Sequence, residues 1–210
     1  LIDAEETWIQ DPIDRMAMEL MGIFNKEKVV VYNTYQLYRT DRLNFLKMSH
    51  RLAQQGNFLL GAKLVRGAYM EKERERAATL GYTSPIHENK EATDQDYDAA
   101  TAYCLDNNAQ IALLVASHNE LSAQKAIQKM EALHIDQKAA HVHFSQLYGM
   151  SDHITFNMAL AGYNSSKYLP FGPLKEVVPY LMRRAEENTS VNGQTSRELL
   201  LIRKELSRRK

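Results

Sequence analysis

The sequence predicts an α/β fold in which parallel β-strands are joined by crossover helices. Short apolar runs rich in β-branched residues recur along the 210 residues, and segments with helical periodicity lie between them. Such alternation is typical of parallel sheets, because consecutive parallel strands need a long connection. Polar side chains also collect directly after each run. The expected strands are Val29–Tyr32, Leu59–Val65, Gln110–Ala116, Ala140–Phe144 and Lys167–Leu169, with a half strand at Leu1–Asp3.

Helices are predicted from capping residues and from apolar positions spaced three and four residues apart. The first starts at Asp11-Pro12, because proline suits the first helical turn. Segment 70–107 is expected to form a charged helix, a loop and a second helix. The other helices are predicted from Asp41 to Gly56, from Asn119 onwards, and from Ser151 to near Gly162.

About five and a half strands fit either an open doubly wound sheet or most of an eight-stranded barrel. No glycine-rich dinucleotide fingerprint follows the first strand, which weakens the case for the open sheet. Polar side chains at the carboxyl ends of successive strands are typical of (βα)8 barrels, so the barrel is favoured. These polar residues are Asp3, Asn33, Gln36, Arg66, Ser117, His118, Asn119, Ser145, Gln146 and Tyr168.

Composition narrows the class of protein. Hydrophobic residues make up 44% and charged residues 25%, which predicts one globular domain over residues 1–210. The 26 basic residues balance the 26 acidic ones, so a nucleic-acid partner is not expected. The single cysteine, Cys104, excludes an intrachain disulfide and is expected to be a buried structural thiol. Because Leu1–Glu6 resembles the tail of a strand entered midway, we expect a fragment or a processed product.

Three motifs carry candidate chemistry. Arg183, Arg184 and Glu187 fall on one side of a predicted helix, where paired guanidinium groups suit a carboxylate or phosphate; a surface set of ion pairs is the alternative. The run Lys63–Tyr69 combines a strand-end cation with Gly67-Ala68, which lets the backbone approach a bulky anionic ligand. Ser117-His118-Asn119 fits either a helix cap or a group at a barrel mouth.

His141 and His143 have the spacing of metal ligands on one face of a strand. With His118 and Asp3 they define an alternative hypothesis, a metal-dependent amidohydrolase-like barrel. That class places its His-x-His pair on the first strand, which disagrees with the order found here. Packing histidines are therefore favoured.

Seven motifs in order resemble the proline dehydrogenase family over essentially all 210 residues. The resemblance is closer to the monofunctional enzymes than to the bifunctional proline-utilisation proteins. The motifs are Asp3–Glu6, Asn33–Gln36, Lys63–Tyr69, Ala116–Asn119, Phe144–Met150, Tyr168–Gly172 and Arg183–Asn188.

The resemblance implies a distorted (βα)8 TIM-type barrel with FAD at the carboxyl ends of its strands and a final helix over the mouth. This chain would hold about strands 3–8 plus that lid helix. The implied reaction is oxidation of L-proline to Δ1-pyrroline-5-carboxylate, with hydride transfer from C5 to flavin N5 and electrons passing to a quinone.

The resemblance also assigns roles to residues. Asp3 and Lys63 are the implied catalytic residues, and Asn33 takes a position that glutamine often occupies beside the flavin. The implied cofactor contacts are Ala4, Asn33, Lys63, Val65, Arg66, Gly67, Ala68, Ser117, His118, Asn119 and Ser145. The implied substrate contacts are Arg183, Arg184, Glu187, Tyr168, Leu147 and Tyr69. Tyr168 implies a preference for L-proline over 4-hydroxyproline, because a tyrosine there crowds the proline C4 edge.

The sequence differs from the family pattern in two respects. Asn33 is one methylene shorter than the usual glutamine, and the strands before the third, with their substrate-side lysine, are absent from the sequence. A chain without those strands could need a second copy to cover the gap, or could be an inactive binding or assembly module. A cytoplasmic protein, mitochondrial in a eukaryotic source, is expected. The helix Ser196–Arg209 fits either peripheral membrane contact or packing on the barrel.

Overall fold

The computed structural model describes residues 1–190 and 194–209, without the side chains of residues 183–190, 194–199 and 201. Its helices and strands alternate, as the sequence predicts, apart from two helices in succession after the second strand and at the end. They are α1 (Thr7–Phe24), β1 (Asn33–Gln36), α2 (Arg42–Gln55), β2 (Leu60–Val65), α3 (Met70–Leu80), α4 (Lys90–Asp106), β3 (Ile111–Ala116), α5 (Glu120–Ala132), β4 (Val142–Leu147), α6 (Asp152–Leu160), β5 (Ser165–Tyr168), α7 (Leu174–Ser190) and α8 (Gln194–Arg208).

The five strands form one parallel sheet in the order β1-β2-β3-β4-β5. A parallel bridge between Ile2 and Asn33 adds the predicted half strand beside β1. Each strand pairs with the next one along the chain, whereas a doubly wound sheet reverses its order at a switch point. The sheet therefore has the strand order of a barrel segment, which confirms the favoured prediction.

The first predicted strand is displaced by four residues. Val29–Tyr32 was expected, but β1 is Asn33–Gln36. The side chain of Asn25 accepts from the amides of Val30 and Val31, at 2.9 Å each, and donates to the Val31 carbonyl at 2.8 Å. Because one asparagine occupies these backbone groups, the apolar run continues as a connection, and the ladder begins later.

The first predicted helix also starts earlier than its sequence signals indicate. Asp11-Pro12 was expected at its start, but α1 begins at Thr7, so Pro12 lies inside the helix. Pro179 likewise lies inside α7, which begins at Leu174. Each proline is the sixth residue of its helix, just beyond the first turn, so each removes one intrahelical hydrogen bond.

The core lies between the sheet and the surrounding helices. Leu64, Leu113 and Phe144 belong to three adjacent strands and are at most 1% exposed. Cys104 on α4 packs in the same cluster, as predicted for a structural thiol, and burial raises its pKa. Among the described residues, no helix has the length and apolar character needed to cross a bilayer.

Candidate active site

A cavity of about 690 Å³ opens at the carboxyl ends of the strands. It lies where parallel α/β structures hold their ligands, and its size is in the range of small-molecule and cofactor sites. Most of the residues predicted for the site line it: Asp3, Ala4, Lys63, Val65, Arg66, Gly67, Ala68, Tyr69, Ser117, His118, Asn119, Ser145, Leu147 and Tyr168. The strand ends thus bring together residues spread over more than 160 positions.

Lys63, within β2, forms an ion pair with Asp3, which follows the Ile2–Asn33 bridge. The Lys63 side chain is 13% exposed, and its ammonium lies 5.8 Å from the centre of the Tyr168 ring. Thr34 donates its hydroxyl to the Ile2 carbonyl at 2.7 Å and lies 3.5 Å from an Asp3 oxygen. Burial, and then the Asp3 charge, raise the pKa of Tyr168, so its phenol stays protonated. The cavity therefore holds a fixed cation beside an aromatic side chain.

Arg66 is held in place by protein groups on every guanidinium nitrogen. It donates to Asp94 at 2.7 Å, to the Ser117 hydroxyl at 2.8 Å and to the Ser122 hydroxyl at 2.9 Å. The Tyr97 ring lies 4.3 Å from its central carbon. Asp94 also pairs with Lys90, so one carboxylate orients two cations that line the cavity. Burial opposes ionisation of Asp94, yet the hydrogen bonds from Lys90 and Arg66 lower its pKa.

Gly67 follows Arg66 with a φ of +142°, which side-chain-bearing residues rarely adopt. A Cβ atom at this position would lie 2.4 Å from the Tyr38 ring. The next residue, Ala68, donates its amide to the Gln36 side chain at 3.4 Å. Glycine is thus required here for both its conformation and the close packing of Tyr38.

Ser117, His118 and Asn119 connect β3 to α5. The Asn119 side chain caps α5 by accepting from the Ser122 amide at 3.1 Å, and the Ser117 hydroxyl accepts from the Asn119 amide at 3.0 Å. His118 is 3.0 Å from the Ser151 hydroxyl. The motif is therefore both a helix cap and a group at the mouth of the cavity, because the capping residues line the cavity. The start of α5 offers a helix N-terminus to an anionic ligand.

Asn33 is a correction to the predicted site. It is fully buried, and its side chain donates to Asp14 of α1 at 2.8 Å instead of lining the cavity. Side chains alternate along a strand, so Asn33 and Gln36 cannot point the same way. Gln36 lines the cavity and donates to the Glu5 carbonyl at 2.7 Å. The sequence analysis identified Gln36 as a strand-end polar residue, but the family resemblance implied a cofactor contact for Asn33.

Other residues line the cavity although no sequence motif predicted a role for them in the site. Gln146 was noticed as a strand-end polar residue without a role, and it bridges the Ser117 carbonyl and the Thr155 hydroxyl. The lining residues without an expected role are Leu1, Glu5, Thr34, Gln36, Lys90, Leu114, Ala116, Glu120, Leu121, Gln146, Met150, Ser151, His153 and Tyr180.

Arg183, Arg184 and Glu187 lie within α7, so the predicted helical context is present. Their side chains lie outside the described residues. Tyr180, one helical turn before Arg184, lines the cavity, and its ring centre is 6.2 Å from that of Tyr168.

His141 and His143 do not line the cavity that contains His118 and Asp3. His143 lies 3.1 Å from the Ala140 carbonyl, and burial followed by the neighbouring His143 lowers the pKa of His141. Among the described residues, no group of three or more His, Cys, Asp or Glu side chains is arranged to hold a metal ion. The residues of the metal-site hypothesis are therefore not brought together.

The family model for proline dehydrogenase matches residues 1–197. The chain belongs to the proline dehydrogenase family. It is 43% identical to human proline dehydrogenase 1, mitochondrial, and 42% identical to the Drosophila melanogaster protein of the same name. Both matches cover the whole of this chain but only 35% and 32% of the respective relatives, so the chain spans about a third of their length.

Solved structures of proline utilization A proteins share the fold of this proline dehydrogenase family member. The protein from Bdellovibrio bacteriovorus inactivated by N-propargylglycine is 29% identical, with a TM-score of 0.84. That match covers 91% of this chain and 20% of the bacterial one. The human and Drosophila proline dehydrogenases are 43% and 42% identical to this chain, whereas the proline utilization A protein is 29% identical. This difference agrees with the predicted resemblance to monofunctional enzymes.

Proposed function

We propose that the protein catalyses the FAD-dependent oxidation of L-proline to Δ1-pyrroline-5-carboxylate. In this reaction a hydride would leave proline C5 for flavin N5, the ring nitrogen would lose its proton as the C5–N double bond forms, and the electrons would pass on to a quinone. The observation that carries the proposal is the cavity at the strand ends, in which the Lys63–Asp3 ion pair faces Tyr168 within a proline dehydrogenase fold.

The residues at the cavity fit FAD in charge and in surface chemistry. Arg66 and Lys90 supply positive charge, and the start of α5 supplies a helix N-terminus; both suit a diphosphate. Val65, Leu114 and Leu147 supply apolar walls that suit a flat ring system. Ala4, Gly67, Ala68, Ser117, His118, Asn119 and Ser145 complete the proposed cofactor contacts.

FAD, when bound, supplies the acceptor for the hydride. Lys63 provides a fixed positive charge that stabilises the negative charge developing during the transfer. Asp3 orients the Lys63 ammonium, because their ion pair fixes the direction of a flexible side chain. Apolar residues such as Leu147 exclude water from the reacting carbon.

Substrate binding is assigned to residues on four elements, α7, β5, β4 and the start of α3. Arg183 and Arg184 would grip the proline carboxylate as paired forks, with Glu187 on the same side of the helix. Tyr168 and Leu147 would pack against the ring, and Tyr69 would support it from the α3 side. A carboxylate anchor on α7 would hold the ring in one orientation for hydride transfer.

Tyr168 is the residue that we propose to determine the preference for L-proline over 4-hydroxyproline. The relatives include a Xenopus laevis hydroxyproline dehydrogenase that is 40% identical, so overall identity does not separate the two activities. Tyr168 is 38% exposed at the end of β5, with its ring close to Lys63 and Tyr180. A bulky ring at this position leaves little room for a hydroxyl on C4 of the substrate.

The proposed location is mitochondrial, as in the names of the human, Drosophila and Arabidopsis thaliana relatives. We also propose peripheral contact with the membrane in which a quinone acceptor resides. On α8, Leu200, Ile202 and Leu206 are each more than half exposed, and Arg203, Lys204 and Arg208 lie between and beyond them. Exposed apolar residues interspersed with basic ones suit an interfacial helix.

The test compares L-proline with 4-hydroxy-L-proline as reductants of an artificial dye, using the full gene product loaded with FAD. We expect kcat/KM for L-proline to be at least about tenfold higher, because one steric conflict costs on the order of 1–3 kcal/mol. Tyr168→Ser should bring the ratio near one. Tyr82→Ser, which alters a similarly exposed tyrosine outside the cavity, should leave it unchanged.

A wild-type protein that binds FAD but reduces no dye with L-proline would rule out the proposed activity. A wild-type ratio near one would contradict only the role of Tyr168.

A further inference from the structure

Glu73 is a fully buried carboxylate on α3, at 0% exposure. Its two oxygens accept from Thr7 at the start of α1, one from the backbone amide and one from the hydroxyl, both at 2.7 Å. A carboxylate is rarely buried to this extent without partners, because desolvation of its charge is costly. Its partners here lie 66 positions away in the sequence.

At the start of α1, the Gln10 side chain accepts from the Glu5 amide at 2.8 Å, one residue before the N-cap, but the N-cap residue itself does not cap the helix. The N-cap residue, Glu6, makes no side-chain capping hydrogen bond, and the first turn of the helix contains no acidic residue. An anionic group at a helix N-terminus satisfies free amides and interacts favourably with the helix dipole. Glu73 therefore caps α1 from another helix, which explains why α1 begins at Thr7 instead of at Asp11-Pro12.

The residues just before Thr7 are attached to the same part of α3. Tyr69 donates its hydroxyl to Glu5 at 2.5 Å, and Lys72 forms an ion pair with Glu6. Three consecutive residues, Glu5, Glu6 and Thr7, are thus each bonded to residues within one turn of α3. We call these three contacts the α3 attachment.

The α3 attachment joins two walls of the cavity. One wall is the segment Asp3–Glu5, which contains the carboxylate paired with Lys63. The other is the segment Arg66–Tyr69, which leads directly into α3. Of the three contacts, only the one from Glu73 involves a fully buried carboxylate and consists of two hydrogen bonds. Hydrogen bonds to a charged group are the stronger kind.

We propose that Glu73 is a positioning residue for the hydride-transfer site. It fixes the Asp3–Glu5 segment against the Arg66–Tyr69 segment and so determines where Asp3 holds the Lys63 ammonium. Glu73 itself does not line the cavity. The inference rests on the proposed oxidation of L-proline, and it assigns to Glu73 a much larger effect on turnover than on substrate affinity, because the proposed carboxylate clamp lies on α7.

Three variants of the FAD-loaded full gene product test this inference. Glu73→Ala should lower kcat about tenfold or more while KM for L-proline changes less than about twofold, since small displacements near reacting groups are costly. Glu73→Gln should recover most of kcat, because the amide can accept from the Thr7 amide and donate to its hydroxyl. Thr7→Val, which removes one of the two hydrogen bonds, should lower kcat by a smaller factor.

The matched control is His50→Ala. His50 is also buried, and it bridges Tyr103 and Gln110 at 2.9 Å each, near the opposite ends of the strands from the cavity. It should lower the melting temperature without changing kcat when activity is measured well below that temperature.

A kcat for Glu73→Ala within about twofold of the wild type would overturn the inference. If Glu73→Ala does not fold, an unchanged kcat in Thr7→Val would overturn it instead. A wild-type protein unable to oxidise L-proline would remove the proposed function and the inference together, whereas an active wild type with unaffected variants would remove the inference alone.

Discussion

Protein groups orient Arg66 in the cavity. Its three guanidinium nitrogens donate to Asp94, Ser117 and Ser122, and the Tyr97 ring covers one face. A cation held by three partners loses little conformational freedom when an anion binds, so more of the interaction energy is available for binding. The strand-end arginine was predictable from the sequence, whereas its partners on α4 and α5 required the fold.

Gln36 lines the cavity in place of the predicted Asn33, which shows that the position of a strand determines which side chains face the site. Both amides follow the first apolar run, so either could have faced the ligand. A shift in the position of β1 changes which of them points into the cavity, because side chains alternate along a strand. The start of β1 is set by Asn25, through contacts that the local sequence pattern does not reveal.

Gly67→Ala should destabilise the protein by about 3 kcal/mol. The substitution combines an unfavourable positive φ with a Cβ atom that would lie 2.4 Å from the buried Tyr38 ring. Gly81→Ala is the matched control, because Gly81 also has a positive φ, of +73°, but nothing lies within 4 Å of the added atom. It should cost only about 1 kcal/mol. Chemical denaturation measures both values, and equal losses would contradict the packing argument.

At the scale of elements, residues distant in sequence determine where helices begin and what they hold. α3 caps α1 through Glu73, and α4 holds the end of β2 through Asp94 and Arg66. The presence and order of most helices and strands followed from periodicity and capping residues. Their boundaries did not, because Thr7 and Asn25 act through partners that only the folded chain brings together.

The link from α4 to β2 should depend on pH. The Asp94 pKa is lowered from 3.8, because hydrogen bonds from Lys90 and Arg66 outweigh the opposing effect of burial. A lowered folded-state pKa stabilises the protein above the unfolded pKa, and that contribution is lost as the pH falls through the folded value. Asp94→Asn should therefore lower the free energy of unfolding at pH 7, by no more than about 1 kcal/mol for a partly exposed pair.

Free energies of unfolding at pH 7, 5, 4 and 3 check this prediction. The difference between wild type and Asp94→Asn should stay constant down to about pH 4 and shrink below it. Asp11→Asn, at an exposed position on α1, is the control and should follow the wild type. A difference that grows as the pH falls would contradict the assigned ion pairs.

At the scale of the whole molecule, the consecutive parallel sheet places its strand ends around one cavity. This arrangement was predictable, because strand-end polar residues recur in every βα unit and seven motifs occur in the order of one family. The position of the cavity follows from strand direction alone. What the sequence could not reveal is how the cavity walls are connected, since those connections run through helices α3 and α4.

We propose that this cavity holds FAD and that a hydride passes to the flavin from L-proline. The most direct measurement mixes the FAD-loaded full gene product with L-proline in the absence of oxygen and follows the visible absorbance of oxidised flavin. We predict stoichiometric loss of that absorbance with L-proline and none with D-proline. Persistence of the oxidised spectrum at saturating L-proline, with FAD demonstrably bound, would rule out hydride transfer from L-proline in this cavity.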